Sequence, residues 1–251
     1  MPITSPQNEK LKNLRRLRQR RRDRDRSGLF VAEGEDLLAA ADAAGWQPVE
    51  RFAVSDSGLP GIEVDPAVLA PLTELGSGTR TLAIYQQRWQ AVNEIPALRV
   101  CVYLHGLADP GNVGSVLRSA AAFGASCVAF GPATADPFGP KAVRASMGAI
   151  FSVPVVRAEA SELPGIKLAL DARAPAALAD VLSAIDLNTP VSLLVGAERD
   201  GLPQDVVASA DRVASIPIRT ESLNAAIAAS VALYELVRSG HTTEPAPGAT
   251  T

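Results

Sequence analysis

Charge is scarce in this chain: 20% of its 251 residues are charged against 47% hydrophobic, and that balance excludes wholesale disorder, collagen and coiled coil. Long apolar runs are also missing. The longest uncharged stretch, Ser119 to Ala135, is interrupted by Gly124, Gly131 and Pro132, which suit turns better than a membrane span. The two cysteines, Cys101 and Cys127, sit in strand-like runs without metal-ligand spacing, so neither a disulfide framework nor a metal site is expected. The charged N-terminus lacks the apolar core of a secretory signal, and a reducing cytoplasm is the expected compartment. There is no GxGxxG and no Walker loop, so an ordinary dinucleotide or nucleotide enzyme finds no support.

What charge there is lies unevenly. Residues 10 to 26 hold ten basic groups and two acids, a segment of +8 in a chain whose net charge is −3, which leaves −11 for the rest. Clustered cations release condensed counterions on meeting a phosphate backbone, so Arg15, Arg16, Arg18, Arg20, Arg21, Arg22, Arg24 and Arg26 are candidate RNA contacts. A solvated helix face with Asp23 and Asp25 as internal partners is the competing explanation.

Leu11, Leu14 and Leu17 recur at helical spacing and make the Arg-rich segment a helix. A strand follows at Gly28–Glu33, a helix at Glu35–Ala44, strands at Arg51–Val54 and Thr81–Tyr85, and a short helix at Pro66–Leu72. These form a small α/β domain over residues 8 to 88, with Pro96 marking a linker over 89–98. From 99 to 238 continuous apolar strands alternate with helices, the pattern of an α/β domain with a parallel sheet. Its strands are expected at Val100–Leu104, Ser126–Phe130, Val153–Val156, Lys167–Leu170, Ser192–Val195 and Val213–Ile218. A polar tail from 239 to 251 is expected to stay disordered.

Ligands of open parallel sheets bind beyond the carboxyl ends of the strands, which singles out three loops. In Asp109-Pro-Gly-Asn-Val-Gly a Pro-Gly turn places Asn112 at a helix start, and Arg118 follows six residues on. In Leu194-Val-Gly-Ala-Glu-Arg-Asp-Gly-Leu-Pro203, Gly196 permits close backbone approach, Glu198 puts a carboxylate at the sheet edge, and Pro203 opens the next helix. In the third loop Ile216-Pro ends a strand, Ser222 is placed to cap the following helix, and Asn224 to show its amide from the first turn. Capping alone explains Asn112, Ser222 and Asn224 equally well.

Taken in order, Asp109-Pro-Gly-Asn-Val-Gly with Arg118, Leu194-Val-Gly-Ala-Glu198 and Ile216-Pro with Ser222-Leu-Asn224 resemble the three motifs of the SpoU (TrmH-like) RNA ribose 2′-O-methyltransferases of the SPOUT superfamily. Upstream, the segment from Arg24 to Gly34 resembles the start of the small RNA-binding domain many members carry, and Lys141–Gly148 a recurrent segment between the first two motifs. The resemblance implies a C-terminal trefoil-knotted domain, S-adenosylmethionine in the knot, and a homodimer with active sites near the subunit interface. Carried over by position, Arg118, Asn112, Glu198, Ser222 and Asn224 are the polar active-site residues, while Val195, Gly196, Ala197, Ile216 and Leu223 line the cofactor. It implies no metal, and RNA as partner, with ribosomal RNA favoured over transfer RNA for an enzyme carrying an appended RNA-binding domain.

The resemblance makes Arg118 the activator of the 2′-hydroxyl. An arginine with a pKa above about 12 stays protonated, and pairing with Glu198 would hold it so. The expectation is that Arg118 binds the target phosphate and stabilises developing alkoxide charge. The connection from Ile216 to Asn224 is about two residues shorter than is common in the family. A shortened cofactor wall raises an alternative, a catalytically weak or inactive relative serving as an RNA-binding or ribosome-associated factor.

Overall fold

The computed structural model describes residues 1–73, 78–96 and 98–242. The small domain opens with helix α1 (Glu9–Gln19), capped by Asn8, whose side chain accepts from the Lys10 N–H. Leu11, Leu14 and Leu17 are fully or almost fully buried, a stripe worth about 1.5–3 kcal/mol per side chain. The Arg-rich stretch is not one helix. Arg20 adopts an extended conformation (φ −126°, ψ 114°) and separates α1 from α2 (Arg21–Ser27), which ends at Gly28 in the left-handed region.

Strands β1 (Leu29–Glu33), β2 (Glu50–Val54), β3 (Ile62–Val64) and β4 (Thr81–Gln86) form a sheet of order β1-β4-β2-β3. Helix α3 (Glu35–Ala43) and the short α4 (Pro66–Leu69) connect them. Strand β3 has only three residues, too few for alternation to reveal.

The large domain is a seven-stranded parallel sheet with strands β5 (Trp89–Gln90), β6 (Val100–Leu104), β7 (Cys127–Phe130), β8 (Val155–Arg157), β9 (Ile166–Leu170), β10 (Val191–Val195) and β11 (Arg212–Ala214). Their order is β11-β9-β10-β6-β7-β8-β5. Helices α5 (Pro110–Ala122), α6 (Pro140–Ala145), α7 (Leu178–Ser183), α8 (Gln204–Ala208) and α9 (Ala225–Arg238) cover its faces. Central strands β6 and β10 are buried along their whole length, as a sheet covered on both faces requires.

Four further expectations need correction. The segment 89–98 is not a plain linker, because Trp89 and Gln90 pair with Val155 and Val156 as the sheet's edge strand. The last strand stops at Ala214 and not Ile218, since Ser215 turns away to bond Ala176 and Leu178 and Pro217 has no N–H for the ladder. Pro203 is the N-cap of α8 and not its first residue. Ser239 to Thr242 do not form a loose tail: His241 and Thr242 are buried, the His241 N–H donates to the Leu236 carbonyl, and Ser239 bonds His241 Nδ1. The rest of the expected tail, 243–251, lies outside the described residues.

The two domains share a core. Phe30, Trp46 and Tyr85 from one side meet Phe138 and Phe151 from the other at centroid separations of 4.8–6.0 Å, and the Trp46 indole donates to the Phe151 carbonyl at 2.8 Å. Beside this cluster the buried Arg24 guanidinium forks onto Asp136, with Nε and Nη2 each 2.8 Å from Oδ2, while Nη1 donates to the Leu17 carbonyl. Among the described residues, no helix is long and apolar enough to cross a membrane.

Candidate active site

Three strand ends converge where β9, β10 and β6 lie side by side. After β6, Asp109 caps α5: its Oδ1 accepts from the Gly111 and Asn112 N–H groups at 2.6 and 3.1 Å. Lys141 donates to the other oxygen at 2.8 Å, and this contact, with the two N–H groups, holds the Asp109 carboxyl below its usual range. Asn112, one turn inside, is freed from capping.

After β10 the chain reverses within a few residues, with Ala197 and Gly201 exchanging both backbone hydrogen bonds and Gly201 at φ +66°. A Cβ at position 196 would fall 2.1 Å from the Gly201 carbonyl carbon, so it is the chain's own return, at Gly201 and Leu202, that requires glycine there. This turn carries Glu198 inward.

The third loop delivers Asn224. Here the expected cap is corrected: Asn224, not Ser222, is the N-cap of α9, its Oδ1 accepting from the Ala226 and Ile227 N–H groups at 2.9 and 3.2 Å. With Oδ1 committed, Nδ2 donates to Asn112 Oδ1 at 3.1 Å, and Asn112 Nδ2 in turn donates to Glu198 Oε1. Three residues more than a hundred positions apart at the extremes thus form one directed hydrogen-bond chain, each amide oriented by the next.

Beside this chain lies a cavity of about 360 Å3, lined by Val195, Gly196, Ala197, Glu198, Ile216, Ser222 and Leu223, all expected from sequence. It is also lined by Asp171 and Arg173 after β9, which sequence reasoning missed, although Leu170-Asp-Ala-Arg173 follows a buried strand just as the chosen loops do. Arg173 donates to Asp171 from its backbone N–H and guanidinium at 2.9–3.1 Å and lowers that carboxyl's pKa.

Arg118 stands apart. It is exposed on α5, does not line the cavity, and has no ionic or hydrogen-bond partner among the described residues. Glu198 is engaged by Asn112, so the Arg118–Glu198 pair weighed from sequence is not formed. Of the arginines named as RNA contacts, two are buried in internal pairs, Arg24 on Asp136 and Arg18 on Glu33 at 2.5 Å with its side chain 8% exposed, while Arg26 and Arg21 make exposed pairs with Asp23 and Asp25 at 3.2 and 3.5 Å, the internal partners weighed from sequence. Arg16, Arg20, Arg21, Arg22 and Arg26 are exposed, and Arg15 is half-buried.

A parallel α/β domain with a small-molecule cavity at its strand ends, preceded by a small α/β domain that opens on basic helices, is the architecture of an RNA-modifying transferase. The chain belongs to the SpoU rRNA Methylase family, which it matches over residues 99–234, and residues 8–75 match the MRM3-like substrate binding domain. It is 31% identical over 247 residues to the 23S rRNA (uridine(2479)-2'-O)-methyltransferase of Streptomyces viridochromogenes, covering 87% of this chain and 85% of that one. To the 23S rRNA (guanosine(2553)-2'-O)-methyltransferase RlmP of Bacillus subtilis it is 28% identical, with 93% and 98% covered. Among solved structures, the AdoMet-bound rRNA methyltransferase of Sinorhizobium meliloti superposes with a TM-score of 0.83 at 30% identity, over 95% of this chain and 97% of that one. The chain spans about half the length of one longer curated relative, from Syntrophobacter fumaroxidans. It is an S-adenosylmethionine-dependent RNA ribose 2′-O-methyltransferase.

The residues present fit that cofactor. The cavity falls within the roughly 300–1,000 Å3 of small-molecule sites, has apolar walls from Val195, Leu202, Ile216, Ile218 and Leu223, and sets four carboxylates, Asp171, Glu198, Asp200 and Glu221, against two guanidiniums, Arg173 and Arg199, a net acidic lining that favours a cationic ligand.

Proposed function

We propose that the substrate is 23S ribosomal RNA, methylated at one ribose 2′-hydroxyl by a homodimer in the cytoplasm. The observation that carries the catalytic reading is the Glu198–Asn112–Asn224 chain, which ties all three motif loops together at the rim of the cofactor cavity. The reading of 23S rRNA rests on the substrates named for the two relatives and on the substrate-binding domain.

When bound, the sulfonium supplies an electrophilic methyl group. Val195 to Ala197, Ile216 and Leu223 would hold it through walls and backbone, and Glu198 and Ser222 would face it as polar groups. The protein's remaining task is alignment and charge. The asparagine chain fixes the edge against which the ribose must lie, since misplacement of reacting atoms by about 1 Å costs about 10²-fold. Arg118, without a partner among the described residues, supplies a permanent cation for the target phosphate and for the oxyanion that develops as the hydroxyl loses its proton to solvent.

Arg118 lies outside its own chain's cavity, and the surface it shares explains how it reaches a site. Helices α5 and α9 pack together through Ser119–Ser230 at 2.6 Å and Phe123–Tyr234, and expose Ile227 and Tyr234, each 53% accessible. An apolar helix face that carries an unpartnered arginine suits a second copy of this chain, which would bring Arg118 to the partner's cavity. Between edge strand β11 and α9 the chain returns to the middle of the sheet, where Asn224 meets Asn112. We assign that return to the trefoil knot of the superfamily. The binding-only alternative loses its motive, because the short third connection still encloses a cavity.

The test is transfer of labelled methyl from S-adenosylmethionine to total RNA lacking the modification, with products mapped by ribose-methylation sequencing. A single site in 23S rRNA, absent with Arg118→Ala, is expected. Methylation confined to transfer RNA would overturn the substrate assignment.

A further inference from the structure

A second cavity, of about 410 Å3, opens at the same carboxyl edge of the large sheet, across β6 from the first. Both domains line it: Arg21 of α2, Trp89 of β5, the turn 131–135 after β7, and Arg157, Glu159 and Glu162 at and beyond the end of β8. Nothing in the reaction described above uses these residues.

Its floor is rigid. Trp89 stands edge-on to Phe130 and Phe138 at 5.9 and 5.2 Å, and its indole donates to Gln87 Oε1 at 3.1 Å. The turn is equally constrained. A Cβ at position 131 would fall 2.2 Å from the Tyr103 hydroxyl, and Ala133 is held at φ +56°, a strained conformation of the kind that gathers at binding sites.

Over this floor lies a planar cation. The Arg157 guanidinium sits 4.1 Å above the Trp89 ring, yet the side chain remains 57% exposed. Arg21, 56% exposed, lies nearby, and both arginines reach a single carboxylate, Asp25, at only 3.5 and 3.4 Å. Exposed pairs of this length are weak and exchangeable. A guanidinium backed by an indole is a platform for a flat π-system, and unpaired RNA bases stack on such planes. Glu159 and Glu162 disfavour a phosphate inside the cavity and offer acceptors to the amino groups of a base.

We propose that this interdomain cavity is an RNA subsite that holds one unpaired nucleobase of the substrate stacked on Arg157, with the adjoining phosphate on Arg21. The inference rests on the RNA-methyltransferase reading and extends it. Strands β10 and β7, which border the two cavities, are two strand spacings apart, about 10 Å, so one RNA strand can occupy both. The target ribose is then placed by a grip on a neighbouring nucleotide as well as by the basic helices.

The test is binding of a 23S rRNA transcript carrying 4-thiouridine, by filter retention and photo-crosslinking, to wild type, Arg157→Ala, Arg157→Lys and Arg21→Gln. S-adenosylmethionine affinity and thermal melting are measured on each. Arg157→Ala is expected to weaken RNA binding at least threefold, Arg157→Lys to recover little of it, and cofactor affinity to stay within twofold. Adducts should map to peptides holding Trp89 or Arg157. An RNA affinity changed less than threefold by Arg157→Ala, full rescue by lysine, or adducts confined to residues 9–27 would each overturn the subsite. Failure of wild type to transfer methyl while binding RNA would count against the enzymatic reading alone, because the subsite is scored by binding.

Discussion

Asn112 shows how little of a residue's role its type reveals. At the start of a helix an asparagine reads as a cap, yet Asp109 takes that position and leaves both ends of the Asn112 amide for Glu198 and Asn224. Asn112→Ala removes an acceptor and a donor at once and should lower kcat by about 10²-fold through misalignment, with RNA affinity nearly unchanged. Single-turnover kinetics beside filter binding measure the two separately. Arg118 behaves differently, because among the described residues nothing orients it. If it acts as a fixed charge, Arg118→Lys keeps substantial activity and Arg118→Ala loses nearly all. Rescue of the alanine variant by raised pH would instead assign the arginine the work of a base.

Helices α5 and α6 pack so closely that their contact tolerates no side chain at position 114. A Cβ there would lie 2.4 Å from the Ala142 carbonyl oxygen and 2.6 Å from the Ala145 methyl. Gly114→Ala should cost about 1–3 kcal/mol of stability, read as a lowered denaturation midpoint, despite alanine's better helix propensity. The end of α9 carries a pH dependence. Burial, and after it the charge of Arg99, depress the His241 pKa below its ordinary value near 6.5, against the Ile185 backbone and Asp186, which oppose the shift. The folded state therefore binds this proton less readily than the unfolded chain. Its stabilising contribution is complete above about pH 6.5 and is lost as pH falls toward the depressed value. Thermal midpoints should drop between pH 7.5 and 5.5 in wild type and drop less in His241→Gln.

At the scale of the whole molecule the two domains act as one body because their junction is a core and not a hinge. The aromatic cluster and the Arg24–Asp136 pair bury groups from both sides of the boundary. Asp136→Asn leaves the Arg24 guanidinium buried beside a neutral amide and should destabilise by about 3–5 kcal/mol. Calorimetry should show one transition shifted as a unit, not a small-domain transition split from a large one. The α5–α9 face bears on activity at the same scale. On the proposed dimer, Tyr234→Glu should yield monomers by light scattering and abolish methyl transfer with the fold intact, since the arginine of one copy would no longer reach the other's cavity.

Much of this molecule follows from local rules that act along the chain. Apolar strands flanked by turns place β6, β7 and β10 correctly to within a residue, and three ordered loops at strand ends mark the family and the cofactor. Strands β3 and β5, of three and two residues, are too short to establish alternation and carry no continuous apolar run, so they went unseen and a sheet edge read as a linker. Nor does composition separate an arginine that meets RNA from one that meets Asp136, because both choices leave the same charge in the sequence. Tertiary contact decided that Arg18 and Arg24 turn inward, that Asn224 caps and reaches Asn112, and that Arg157 lies across Trp89. These outcomes depend on groups distant in the chain competing for the same few donors and acceptors, a competition that folding settles.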